Sequence, residues 1–147
     1  MKQVLIALVL AFQAMLFGAA SAAPLKGRSI CLANFSGANS EGGGGPGQAP
    51  LNYNDFGITI TGGGKKFHQK LTEDADNGLF HRGVKGEKIG SKNGVKIHAN
   101  WNYANNSWLG CYVKRNGHKY IGKVKSPEIH TGTVSVTEDH CTVHFPC

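Results

Sequence analysis

Glu128-Ile129-His130 sets a carboxylate and an imidazole two residues apart. On a strand, such residues face the same side, so the two can share one site. A carboxylate beside an imidazole is the raw material of general acid–base work, and an arginine nearby can neutralise a phosphate. His98, His118, Glu87, Arg82 and Arg115 extend the set. The chemistry it would serve is phosphodiester hydrolysis, a ribonuclease-like reaction. No other enzyme signature accompanies it: Gly-x-Ser-x-Gly, Cys-x-x-Cys and His-Glu-x-x-His are all absent from the chain. His140 and His144 are four apart, which makes a metal clamp on a helix but not on a strand. The seven histidines therefore read as scattered surface residues, and neither a metal nor a cofactor is expected.

Binding without turnover is the stronger theme. The chain carries 16 Lys and Arg against 9 Asp and Glu, for a formal net charge of +7. The excess is local. Between 82 and 125 the cations are Arg82, Lys85, Lys88, Lys92, Lys96, Lys114, Arg115, Lys119, Lys123 and Lys125, against Glu87 alone; residues 126–147 hold Glu128, Glu138 and Asp139 and no Lys or Arg. A basic middle suits an anionic partner, whether nucleic acid, phospholipid, cell-wall polymer or an acidic protein face. Trp101, Tyr103, Trp108, Tyr112 and Tyr120 interleave with these cations, and aromatic plus cation is a recipe for stacking and for binding hot spots. Trp101 falls on the apolar side of its strand and reads as core. Trp108 follows Asn105-Asn106-Ser107 and reads as the exposed anchor. The expected binding set is Lys96, His98, Trp108, Lys114, Arg115, Lys119 and Lys123.

The elements that must position these residues are strands. Phe56, Ile58 and Ile60 alternate with Gly57, Thr59 and Thr61. Val95, Ile97, Ala99, Trp101 and Tyr103 alternate with Lys96, His98, Asn100 and Asn102, and Val134 and Val136 with Ser135 and Thr137. Asn93-Gly94 and Asn116-Gly117 are the favoured dipeptides of type I′ hairpin turns. Ser29–Phe35 reads as a first strand, 37–50 as a mobile Gly-rich loop, and Glu138-Asp139-His140 as a turn. No segment has a helical period. The expected fold is all-β, about seven short antiparallel strands in a small sandwich or partly open barrel.

Residues 1–22 have the pattern of a secretory signal peptide: Lys2, an apolar run from Val4 to Phe17, then Gly18-Ala19-Ala20-Ser21-Ala22. The expected mature part is one β domain, 23–147, secreted as a monomer with no transmembrane anchor. Its four cysteines read as two disulfides of an oxidising compartment. The expected pairing is Cys31–Cys111 with Cys141–Cys147; the rival pairing joins Cys31 to Cys147. Asn34-Phe35-Ser36 and Asn105-Asn106-Ser107 are sequons for N-glycosylation, each expected in or beside a loop.

This plan resembles the small secreted effector proteins of filamentous plant-pathogenic fungi. The signal peptide Met1–Ala22, the mature start Ala23-Pro24, the four cysteines and the short strands carry the resemblance. Within that class, the β-sandwich effectors first described in the blast fungus pin an early strand to a later one. Cys31 in Ser29-Ile30-Cys31-Leu32 and Cys111 in Leu109-Gly110-Cys111-Tyr112 would be the matching pair. The resemblance implies secretion into or onto a host and binding of a host protein without catalysis. The expected function is thus a virulence effector acting through its basic β face. A secreted ribonuclease-like hydrolase and a basic antimicrobial or cell-wall-binding protein are the alternatives.

Overall fold

The computed structural model describes residues 29–42, 51–75, 77–125, 127–130 and 134–147. The expected signal peptide lies outside the described residues, as does the 43–50 part of the expected Gly-rich loop. Among the described residues, ten strands follow one another: β1 (Ile30–Gly42), β2 (Leu51–Gly62), β3 (Lys65–Lys70), β4 (Leu79–Val84), β5 (Val95–Asn102), β6 (Ser107–Arg115), β7 (His118–Ile121), β8 (Lys123–Val124), β9 (Glu128–His130) and β10 (Val134–Pro146). A 3-10 turn, Gly86–Ile89, interrupts them between β4 and β5.

All pairings are antiparallel and form two sheets. The first has the order β3-β2-β1-β10-β8, with β9 also paired to β10; the second has the order β4-β5-β6-β7. Period-two alternation makes one face of each sheet apolar, and the two apolar faces stack as a sandwich. Ala33, Phe35, Phe56, Ile58, Ile60, Val143 and Phe145 from the first sheet meet Phe80, Val95, Ile97, Ala99, Trp101, Trp108 and Val113 from the second. Phe56 lies at the centre of the aromatic cluster, with ring centroids 4.8 Å from Phe80, 5.1 Å from Trp101 and 5.8 Å from Trp108.

Three local expectations change. Residues 37–42 are not loop but the second half of β1, paired on both sides with Asp139–Val134 and Phe56–Leu51. Gly37 faces inward there, and a Cβ on it would overlap the Trp101 ring, so its missing side chain makes room for the indole. Glu138-Asp139-His140 does not turn. It runs straight through β10, because the buried Asp139 carboxylate finds partners inside: it accepts from the Trp108 and His140 N–H groups, each at 2.7 Å. Asn116-Gly117 is a two-residue turn with both φ positive, 49° and 79°, as type I′ requires. Asn93-Gly94 is not; neither residue has positive φ, and the chain reaches β5 through the 3-10 turn instead. The Asn93 side-chain amide donates to Asn116 Oδ1 at 2.9 Å, so the two Asn-Gly sites brace each other.

The disulfides are Cys31–Cys147 and Cys111–Cys141, the rival pairing rather than the expected one. The Cα atoms lie 5.1 Å and 6.1 Å apart. Cys111 on β6 faces Cys141 on β10 across the core, while Cys31 on β1 lies beside the end of β10, where the Cys147 N–H donates to Ser29 O. The Cys111–Cys141 bond staples sheet to sheet; the other ties β1 to the residue after β10. Their sequence separations of 116 and 30 correspond to about 5 and about 3.5 kcal/mol of restricted unfolded-state entropy.

Candidate functional site

The outer face of the second sheet collects the side chains that the inner face rejects. Register fixes two rows across its four strands. His81, His98, Tyr112 and Ile121 are direct neighbours, and so are Gly83, Lys96, Lys114 and Lys119. Neighbouring strands lie about 4.8 Å apart and residues two apart on a strand about 6.8 Å. An aromatic and apolar row therefore runs beside a cationic one.

Contacts hold both rows in place. The Asp74 carboxylate meets His81 Nδ1 at 2.8 Å. The His81 and His98 rings have centroids 4.1 Å apart, and His98 stacks on Tyr112 at 4.4 Å with planes 19° apart. The Lys119 ammonium also lies over the Tyr112 ring, 4.1 Å from its centroid, with Lys114 at 5.6 Å. Burial first, then the charges of His81, Lys119 and Lys114, hold the His98 imidazole below its ordinary value, against an upward pull from Asp74. His98 Nδ1 is buried without a hydrogen-bond partner.

Three adjoining depressions mark this face. One of about 340 Å³ lies among His81, Arg82, Gly83, Lys96, His98, Tyr112 and Lys114. A second of about 340 Å³ lies among His98, Leu109, Gly110, Tyr112, Lys119 and Ile121. The largest, about 790 Å³, opens at the end of the sheet around Lys85, Lys96, Lys114 and the Asn116-Gly117 turn. They share lining residues and so adjoin, and no aspartate or glutamate lines any of the three. Among the described residues, Lys96, Lys114 and Lys119 form no ion pair. The first sheet differs: its outer depression mixes Asp55 and Glu138 with His68, Lys70 and His140, and Lys70 is paired to Asp55 at 3.0 Å.

The expected binding set is only partly assembled here. Lys96, His98, Lys114 and Lys119 come together. Trp108 does not: it is 3% exposed, placed opposite Trp101 by the bulge after Asn100, and packs in the core. Arg115 is spent on structure, donating to Pro146 O and, at 2.6 Å, to Ser91 Oγ, whose hydroxyl in turn donates to Cys147 O. Lys123 is exposed but belongs to the first sheet, opposite Thr142. Sequence reasoning missed His81 and placed Tyr112 only among the aromatics interleaved with the cations; strand order is what brings both to this face. The Glu128 and His130 pair sits on β9 in the first sheet, where Glu128 accepts from Lys125. Of the sequons, Asn105 is exposed in the turn between β5 and β6, whereas Asn34 is half-buried at mid-β1 rather than beside a loop.

Among the described residues, no three of His, Cys, Asp and Glu gather closely enough to hold a metal ion, and no helix is long and apolar enough to cross a membrane. Comparison with known proteins finds no matching family model, no similar curated protein and no similar solved structure.

Proposed function

We propose that this chain is a secreted, effector-type interaction protein that holds an anionic host partner on the outer face of its second sheet. The observation that carries this reading is the one-signed lining: Lys85, Lys96, Lys114 and Lys119 line adjoining depressions free of any carboxylate. Unpaired cations that converge keep their charge available, so they steer and hold an anion, and salt weakens the attraction. The test is the triple variant Lys96→Glu, Lys114→Glu, Lys119→Glu. Exposed substitutions of this kind change stability by about 0.5 kcal/mol each. The variant is expected to fold and to lose partner capture and the host response. A folded variant with full activity would show that the lysines are a solvated face.

A second reading, phosphodiester hydrolysis, has one observation in its favour. His81, oriented by Asp74, stands beside His98, whose proton affinity is lowered. It requires release of nucleotides from RNA by the purified protein and loss of that release in His81→Gln or His98→Gln.

A further inference from the structure

The cationic row alone would suit any polyanion. What lies beside it is more selective. The two smaller depressions flank the His98–Tyr112 stack, and each has a glycine, Gly83 or Gly110, on its lining. A Cβ added at either glycine would meet nothing within 4 Å, so both floors are open. The depression at Gly110 is walled by apolar groups that solvent would otherwise wet: Leu109 is 62% exposed and Ile121 76%. Such side chains, next to a tyrosine and a lysine, suit a flat, partly apolar group that carries a negative charge a few ångströms away. A carboxylate-rich protein face supplies the charge without the flat group.

We infer that this face binds single-stranded nucleic acid, with phosphates along Lys96, Lys114 and Lys119 and bases in the glycine-floored depressions beside Tyr112. The inference rests on the reading that the face takes an anionic partner. The geometry explains the entry step. Tyr112 stacks on His98, and its ring is otherwise covered by the flexible Lys119 ammonium, with Lys114 farther off. A base arriving there takes the ammonium's place on the ring and leaves it to a neighbouring phosphate. Bases stack on aromatic rings without regard to sequence, so little base preference is expected. A paired duplex keeps its bases stacked inside and should bind only through the lysines.

The experiment is fluorescence anisotropy with the disulfide-intact protein and labelled single-stranded RNA and DNA of about 12 nucleotides. Polyglutamate and polygalacturonate of matched charge are the competitors. The single strands should bind more tightly than either competitor, with a log–log salt slope of about −2 for three phosphates. Tyr112→Ala should weaken the single strands about tenfold and leave polyglutamate within about twofold. Leu109→Ser with Ile121→Ser, both at exposed positions, should do the same and covers the case in which the tyrosine variant misfolds. Equal binding of single strands and polyglutamate, or indifference to these variants, overturns the nucleic-acid inference while the cationic face stands. Failure of every anion to bind overturns both.

Discussion

Asp139 shows how much a single side chain can redirect a strand. Both its oxygens are used, by the N–H groups of Trp108 and His140, and the residue is fully buried between the sheets. Asp139→Ala would leave the buried Trp108 N–H without an acceptor. We expect a loss of about 3 kcal/mol, read from the urea midpoint; a variant as stable as the parent would show that the carboxylate does not bind the sheets together. His98 carries a pH dependence whose sign follows from its environment. Burial, His81, Lys119 and Lys114 disfavour its cation, while Asp74 is the one group that favours it. The unfolded chain therefore takes up a proton near the ordinary value of about 6.5, where the folded chain resists. Stability should be highest above that value and fall as pH drops from about 6.5 through the lowered folded value. A series of melting temperatures from neutral to mildly acid pH checks this, and His98→Gln should flatten the fall. An anion bound at Lys114 and Lys119 would relieve the same repulsion, so it should bind more tightly as pH falls.

At the scale of elements, the join between β7 and β8 hands the chain from the second sheet back to the first. Gly122 makes the corner. Its N–H donates to Cys111 O at 2.8 Å, and a Cβ there would overlap Cys111 Sγ and come within 3.0 Å of Cys141 Sγ. Gly122→Ala should cost about 2 kcal/mol through overpacking against the disulfide. Gly83→Ala, into open space, is the control and should be near neutral. Thermal melts of the two variants decide the matter: equal stability would show that the corner has slack. The strands themselves were legible wherever one face is apolar and the other polar, as in Val95–Asn102, because periodicity is a local property. Strand order is not local. That Lys123 belongs to the first sheet, that Arg115 reaches Pro146, and that Trp108 turns inward after a bulge all depend on partners roughly 15 to 30 residues away or on a register shift. For the same reason the site was half-visible. Lys96, His98, Lys114 and Lys119 were recognisable as outward-facing cations, but His81 joins them only because β4 pairs with β5, and Tyr112 only because Lys119 folds back over it. Glu138-Asp139-His140 and Asn93-Gly94 misled for a related reason: both are turn-like in composition, and tertiary partners overrode the composition.

Taken as a whole molecule, the protein divides its labour between two sheets. The first holds mixed charge outside, and the second holds charge of one sign. The two disulfides join this body in a way that matters wherever proteases are the hazard. Cys31–Cys147 closes residues 31–147 into a covalent hoop, and Cys111–Cys141 closes a smaller hoop within it. One backbone cut inside the hoop opens it without releasing a piece, and the core keeps both segments in register. A singly nicked sample should therefore migrate as one species on a non-reducing gel and fall into two on a reducing one; separation without reductant would refute the pairing. Two cuts are needed before a fragment can leave, so persistence under digestion is built into the covalent connectivity itself.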